Sequence, residues 1–275
     1  MKIELNDFIP RHTFDCGQCF RWNQESDGSY MGVAGGRAVK ISSDGANIEL
    51  SGCSEEDYAD FWEKYLDVRR DYGKIKKAVS VNDTMRRAVE YGGGIRILRQ
   101  EFFETLISFI ISQRSSIPKI RSCVEKLCTL YGKEISFGGK TLHAFPSAET
   151  LARLSEEDFR AIGVGYRAPY ILSAAQKVAG GEISGSELEN CETGKARELL
   201  LKLYGVGDKV CDCVLLFSLG KYDLFPSDVW IKRVMAEQFS ANDAKHTGEE
   251  TFGAYSGFAQ QYLFYWRKYA ESRKI

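Results

Sequence analysis

Hydrophobic and polar positions follow two different rhythms along this chain. Up to about residue 50 they alternate in short, Gly-punctuated runs, CFRWNQ, SYMGVAGG, RAVKIS and NIELSG, which are rich in β-forming residues and predict an antiparallel sheet. From Ser54 the period lengthens to that of a helix. SEEDYADFWEKYLDV opens with an acidic first turn that suits the helix dipole, and a further helical stretch over 82–91 runs into Gly92-Gly93-Gly94, a natural joint.

Beyond the triple glycine the chain reads almost wholly helical. ILRQEFFETLISFIIS is apolar on nearly every face and predicts a central buried helix; QRSSIPKI interrupts, and IRSCVEKLCTLYG resumes the helical period. Ser155-Glu156-Glu157-Asp158 fits a capping box, and Gly163 fits the end of that helix. LSAAQKVAGG, ETGKARELLLKLYG, DKVCDCVLLFSLG, SDVWIKRVMAEQF and TFGAYSGFAQQYLFYWRKYAE supply more helices. The expected fold class is α+β: a small N-terminal antiparallel β-sheet domain with flanking helices over 1–94, then an all-helical bundle over 95–275 with a hairpin at about 195–218.

Composition narrows the class without naming a function. At 275 residues the chain is long enough for two domains, and its formal charge of −1 provides no global field to attract a polyanion, so nucleic-acid binding has to be local. Between Gln113 and Lys140 six basic residues stand against two acidic ones, a bias that supports such binding only beside other evidence. No apolar run approaches the roughly 18 residues of a membrane span, and MKIELNDFIP has no secretory core. The expectation is a monomer in the cytoplasm, or in the nucleus of a eukaryote, with no membrane partner. Eight cysteines then read as reduced thiols. Cys16-x-x-Cys19 lacks a second pair or His partners for zinc and an activating environment for redox work, and no cysteine after Cys213 remains to hold an iron–sulfur cluster.

The chemistry concentrates in LYGVGDKVCDCVLLFSLGKYDLFPSD, residues 203–228. Gly205 and Gly207 let the backbone turn tightly and bring its N–H groups to an anion such as a phosphate. Lys209 follows at the start of a helix; desolvation beside Val210, Val214 and Leu215 would lower its pKa and free the amine as a nucleophile. Alone, Lys209 is an ordinary helix-start lysine and Asp228 a helix N-cap after Pro226-Ser227. A capping Asp is also a held carboxylate, and together with the hairpin the pair favours covalent chemistry on a phosphodiester polymer. Ile162-Gly-Val-Gly-Tyr-Arg167 echoes Tyr204-Gly-Val-Gly-Asp-Lys209, but only the second copy supplies a lysine with an Asp further on.

GVGDKVCDCVLL followed by PSD resembles the helix-hairpin-helix (HhH-GPD) DNA glycosylases. Within them, Gly17-Gln-Cys-Phe-Arg-Trp22, GGIRILRQEFFETLISFIIS, Gly163-Val-Gly-Tyr-Arg-Ala168 and GFAQQYLF are similar to the 8-oxoguanine DNA glycosylase/AP lyases, in order over most of the chain. The resemblance implies an HhH-GPD bundle, no cofactor, and duplex DNA containing 8-oxoguanine as partner, with the damaged nucleotide flipped out of the stack. It implies Lys209 as the nucleophile on C1′, leading to a Schiff base and β-elimination, and Asp228 as the acid that stabilises charge on the sugar. It implies Gly17 as the carbonyl that reads N7–H, Cys213 and Phe264 as the walls around the base, and Gln260 at its Watson–Crick edge. Tyr166 and Arg167 match a wedge and an orphan-cytosine contact, Lys119 a basic DNA contact, and the main chain of Leu203 and Val206 a structural cation site.

Two positions depart from the family. Arg114 replaces an Asn expected near the orphan base, which leaves the opposite-base preference open, and Trp230 replaces a His beside the acid. The rival readings are a glycosylase of the same fold for alkylated bases or adenine, and a non-catalytic hairpin module that clamps phosphates and can dispense with Lys209.

Overall fold

The computed structural model describes residues 1–270. Strands β1 (Lys2–Glu4), β2 (Trp22–Gln24), β3 (Tyr30–Ala34), β4 (Arg37–Asp44) and β5 (Asn47–Ser51) form one antiparallel sheet in the order β1-β5-β4-β3-β2, with helix α1 (Pro10–Phe14) between the first two strands. Alternation places Val39 and Ile41 of β4 beside Ile48 and Leu50 of β5 in a core that Phe14, Trp22, Trp62 and Tyr65 complete. Phe14 stacks on Trp22 with centroids 3.9 Å apart, and the Trp22 indole N–H donates to the Tyr65 hydroxyl at 2.9 Å. Strand β3 is buried at every position, because its outer face is covered as well. The cover is a hairpin absent from the sequence expectation, β6 (Glu134–Phe137) with β7 (Lys140–His143), whose exposed edges and polar residues mute its alternation.

The helical segment after the sheet starts at Ser54, which caps it by accepting the Asp57 N–H. It runs through α2 (Glu55–Asp57), a wider π-helical turn at Tyr58–Trp62 and α3 (Glu63–Tyr65). Helices α4 (Tyr72–Val79) and α5 (Asp83–Tyr91) follow, then α6 (Phe102–Ser112), α7 (Ile117–Tyr131), α8 (Ala148–Leu151), α9 (Glu156–Ala161) and α10 (Ala168–Ala179). The bundle closes with α11 (Gly185–Asn190), α12 (Thr193–Leu201), α13 (Asp208–Leu219), α14 (Val229–Phe239), α15 (Ala244–Phe252) and α16 (Ser256–Tyr269). The expected capping box at Ser155 and Asp158 is present. Helix α6 is buried over residues 105–111 and packs against α7, α10 and α13. Buried Asp212 of α13 binds Arg197 of α12 at 2.8 Å and Lys245 of α15 at 2.6 Å, so three helices share one compensated charge.

One expected helix is shorter than its sequence pattern. The run ILRQEFFETLISFIIS is helical only from Phe102; residues 96–100 are extended, because each backbone N–H there finds a partner elsewhere in the fold. Arg96 N–H donates to Thr13 Oγ1 (3.1 Å), Ile97 to the Tyr72 hydroxyl (2.8 Å), Leu98 to Gln18 Oε1 (2.9 Å), Arg99 to the Tyr65 carbonyl (2.9 Å) and Gln100 to the Phe217 carbonyl (2.9 Å). The fully buried Arg96 side chain lies 4.1 Å from the Tyr72 ring centroid and donates to five main-chain carbonyls, among them Asn6 at 2.8 Å and Leu66 at 3.2 Å. Gln18 in turn donates to the carbonyls of Thr13 (2.9 Å) and Arg96 (2.8 Å). The loop carrying Gly17 is thereby stitched to the strap that leads into α6.

Burial pushes the Glu104 carboxyl on α6 up to about 7, while Arg21, at 3.8 Å, pulls it the other way. A raised carboxyl contributes stability that is present in full below its unfolded value near 4.5 and is lost as pH rises through about 7. The Glu104→Gln variant, neutral at every pH, should therefore lose less stability than wild type between about pH 4 and pH 8, by roughly 3 kcal/mol in urea unfolding. Equal losses in both proteins would show that Glu104 ionises freely in the fold.

Candidate active site

The catalytic hairpin expected from sequence lies between α12 and α13. Gly205 adopts φ +79°, and a Cβ there would overlap the Tyr170 ring, so both the backbone and the packing demand glycine. The extended Gly207 precedes the first helical residue, Asp208, and leaves the free N–H groups of a twelve-residue helix at the hairpin. Leu203 O already accepts the Val206 N–H at 3.1 Å. No cluster of three His, Cys, Asp or Glu side chains occurs among the described residues, so a cation at Leu203 and Val206 would rely on main-chain oxygens alone.

Lys209 stands on the first turn of α13, half-buried, and its surroundings come from another helix than expected. Val214 and Leu215 face the core, whereas the Lys209 amine lies 4.9 Å from the Phe109 ring centroid and donates to Ser112 Oγ at 3.3 Å, both on α6. The Ser112 hydroxyl donates its own proton to the Phe109 carbonyl at 2.7 Å, so its oxygen turns a lone pair toward Lys209. Asp228 caps α14: Oδ1 accepts the Ile231 N–H at 2.9 Å, which fixes the carboxylate with its other oxygen outside the cap.

Gly17, Lys209, Cys213, Asp228, Gln260 and Phe264, distant in sequence, converge on one cavity of about 50 Å³. Phe109, Phe217, Pro226 and Gln261 complete its walls. These four went unnoticed in the sequence, where each reads as plain helix core or turn. Phe109 and Phe217 stack with centroids 5.5 Å apart beneath Lys209. Gln261 donates to the Cys16 carbonyl at 2.8 Å and holds the loop in which Gly17 takes φ +85°. An added Cβ on Gly17 would come within 3.2 Å of Phe264, so that ring lies directly over the glycine.

Cys213 is buried, which pushes its thiol up to about 11 despite the nearby Lys209 ammonium, so it presents a neutral wall to the cavity. Gln260 is almost wholly buried, and its Oε1 has no hydrogen-bond partner. An acceptor left dry costs on the order of 1–3 kcal/mol unless a donor fills the cavity. Lys268 on α16 is a further cation here: its amine lies 5.2 Å from the Phe264 ring centroid, and burial lowers its pKa although Asp228 raises it.

The residues assigned to the orphan base gather elsewhere, around the end of α6. Tyr166 is half exposed on the short 3-10 turn Gly165–Arg167, and its hydroxyl reaches the Gln113 carbonyl at 3.5 Å. Arg167 is mostly buried, donating to the carbonyls of Val164 (3.0 Å) and Gln113, and its Nε has no partner. Gln113 Nε2 donates to the Gly205 carbonyl at 3.0 Å, which ties this turn to the hairpin that precedes Lys209. Arg114 is exposed in the left-handed region at φ +47°, and Lys119 packs against Gly163. Trp230 is exposed two residues past Asp228, with Arg233 over its ring at 5.7 Å. The Cys16 and Cys19 thiols are buried and pushed up by desolvation, which removes the thiolate that redox or metal chemistry requires.

Comparison with known proteins gives this geometry its context. Residues 1–106 match the family described as 8-oxoguanine DNA glycosylase, N-terminal domain, and residues 107–255 match HhH-GPD superfamily base excision DNA repair proteins. A probable N-glycosylase/DNA lyase from Methanothermobacter thermautotrophicus is 34% identical over 196 residues; the alignment covers 62% of this chain and 62% of the relative, so the chain spans under two thirds of that protein's length. The solved structure of MBOgg1 with a low-affinity DNA ligand superposes with a TM-score of 0.96 at 42% identity, over 98% of this chain and 96% of that one. The 8-oxoguanine glycosylase/lyase of Clostridium acetobutylicum, in complex with duplex DNA containing cytosine opposite 8-oxoguanine, gives a TM-score of 0.94 at 37% identity over 100% and 99% of the two chains. The second of the two matched families covers more than half of the sequence, and on that ground the chain belongs to the HhH-GPD superfamily of base excision DNA repair proteins.

Proposed function

We propose that this chain is a bifunctional 8-oxoguanine DNA glycosylase and AP lyase. The observation that carries the reading is the buried Gln260 carbonyl, which no described residue bonds, in a cavity shared by Lys209 and Asp228. A buried acceptor without a partner suits a ligand with donors on its edge, and the Watson–Crick edge of guanine presents N1–H and N2–H₂. The oxidised base adds N7–H, which normal guanine lacks and the Gly17 carbonyl would accept. A pocket that strands a polar group when the wrong ligand enters discriminates strongly. At about 50 Å³ the cavity does not hold a purine while Phe264 lies over Gly17, so the ring shifts as the base enters and then stacks on it.

The chemistry follows from the positions of the two functional groups. A base within a duplex is out of reach, so the nucleotide is extruded, with the backbone held at the hairpin N–H groups. The Lys209 amine attacks C1′ through its nitrogen lone pair; a C–N bond forms, the glycosidic bond breaks, and the electron pair of that bond leaves with the base. Ser112 orients the amine by accepting one N–H, and the fixed Asp228 carboxylate stabilises positive charge on the sugar. Loss of a proton from nitrogen and opening of the sugar leave a Schiff base; removal of a C2′ proton then expels the 3′ phosphate. Tyr166 fills the gap in the stack, with Arg167, Arg114 and Lys119 on the side of the unpaired base.

Borohydride reduction during turnover of an 8-oxoguanine duplex should produce a covalent protein–DNA adduct, and Lys209→Gln should abolish both adduct and strand cleavage. A Lys209→Gln protein that still cleaves would reassign the nucleophile; a wild type that forms no adduct but binds DNA would leave a non-catalytic hairpin module. Replacing Gln260 by Leu removes the dry carbonyl and should lower kcat/KM for 8-oxoguanine by about tenfold or more, with a smaller effect on lyase activity at a preformed abasic site. Excision rates opposite each of the four bases report on Arg114. Its cation makes a weaker preference for cytosine the expected result, and Arg114→Asn should sharpen that preference by several-fold; identical ranking in both proteins would place Arg114 on a phosphate.

A further inference from the structure

The two Gly-Val-Gly turns each carry an exposed tyrosine, and a third tyrosine joins them. Tyr166 follows the first turn and Tyr204 immediately precedes the second; both are more than half exposed, at 52% and 59%. Between them lies Tyr170 on α10, edge-on to each, with ring centroids 6.0 Å from Tyr166 and 4.7 Å from Tyr204. The Tyr170 ring also occupies the space that a side chain at 205 would need, so it sets how closely the hairpin approaches α10. Scattered exposed aromatics need no explanation, but two that flank the Gly-Val-Gly turns, one after the first and one before the second, and meet on a single ring between them form a surface. No described residue bonds the Tyr204 hydroxyl.

We propose that Tyr204 is a DNA contact in its own right, donating its hydroxyl to a backbone phosphate of the strand that carries the lesion. The proposal rests on the glycosylase reading above. Tyr204 immediately precedes the hairpin residues that lead to Lys209, and a nucleophile that reaches C1′ puts its own hairpin on the damaged strand. The neighbouring phosphate is held by backbone N–H groups and has further lone pairs free. A phenol held by ring packing reaches such an oxygen with little loss of side-chain freedom, and an O–H bond to an anion is among the stronger neutral-donor contacts. Tyr166 and Tyr204 then act on the two flanks of the flipped nucleotide, one in the stack and one on the backbone, at a spacing set by Tyr170.

Tyr204→Phe keeps the ring and its packing and deletes only the hydroxyl. Fluorescence anisotropy with a duplex bearing a tetrahydrofuran abasic analogue should show about tenfold weaker binding for Tyr204→Phe, with unchanged thermal unfolding. Because the lost donor is uncharged, the slope of log Kd against log salt should match wild type, whereas loss of a lysine–phosphate contact would reduce it. Equal Kd values for wild type and Tyr204→Phe would overturn the contact while leaving the glycosylase reading intact, as would a weaker Kd accompanied by a changed slope. A wild type that does not prefer the abasic duplex to undamaged DNA would sink both.

Discussion

The end of α6 is where the rest of the structure meets. In consecutive residues it supplies the oxygen that orients Lys209, the amide that holds the Gly205 carbonyl, the carbonyl that accepts Arg167, and the left-handed turn that projects Arg114 outward. Helix α6 can act this way because it is buried along almost its whole length and packed against α7, α10 and α13, which leaves its last turn little freedom. A displacement of that turn would move both hairpins at once, since Gln113 touches each. Lys209, the Gly-Val-Gly hairpin before it and the Tyr166 turn thus share one rigid support.

The opposite wall of the cavity depends on a second set of bonds that runs between the two cores. Gly17 belongs to a loop near the sheet, yet its loop is tied to the helical region by Gln18, Gln100, Gln261 and the extended strap around Arg96. Amide side chains suit this work because each has both a donor and an acceptor, so one residue closes two main-chain vacancies. Gln18 illustrates it: its amide donates to Arg96 and its oxygen accepts from Leu98. Gln260 differs from these bonded amides: its Oε1 meets no donor among the described residues, and it lines the cavity that Lys209 and Asp228 share.

Legibility in the sequence varied with the range of the interaction responsible. Strands β2–β5, the capping box at Ser155, the Gly-Val-Gly turns and the Asp228 cap are local, so alternation, cap residues and glycine spacing revealed them, but not β1. The helix boundary at Phe102 and the β6–β7 hairpin escaped, since the first is decided by partners such as Thr13, Gln18 and Tyr72, and the second by the face of β3 it covers. In the site, Lys209 and Asp228 stood out through their motif. Ser112 and Phe109 did not, because a Ser and a Phe in an apolar helix look like core until another helix brings a lysine to them.

By itself the sequence determined the succession of a sheet region and a helical region, the residues with chemical capability and the family resemblance, because each is written in spacing along the chain. Tertiary structure decided which of those residues share a cavity, what surrounds the Lys209 amine, which buried acceptor meets no donor among the described residues, and that Tyr166 and Tyr204 flank a common ring. Those outcomes depend on the packing of segments far apart in the chain, such as residues 17, 112, 209 and 260, and nothing in local periodicity encodes the distances among them.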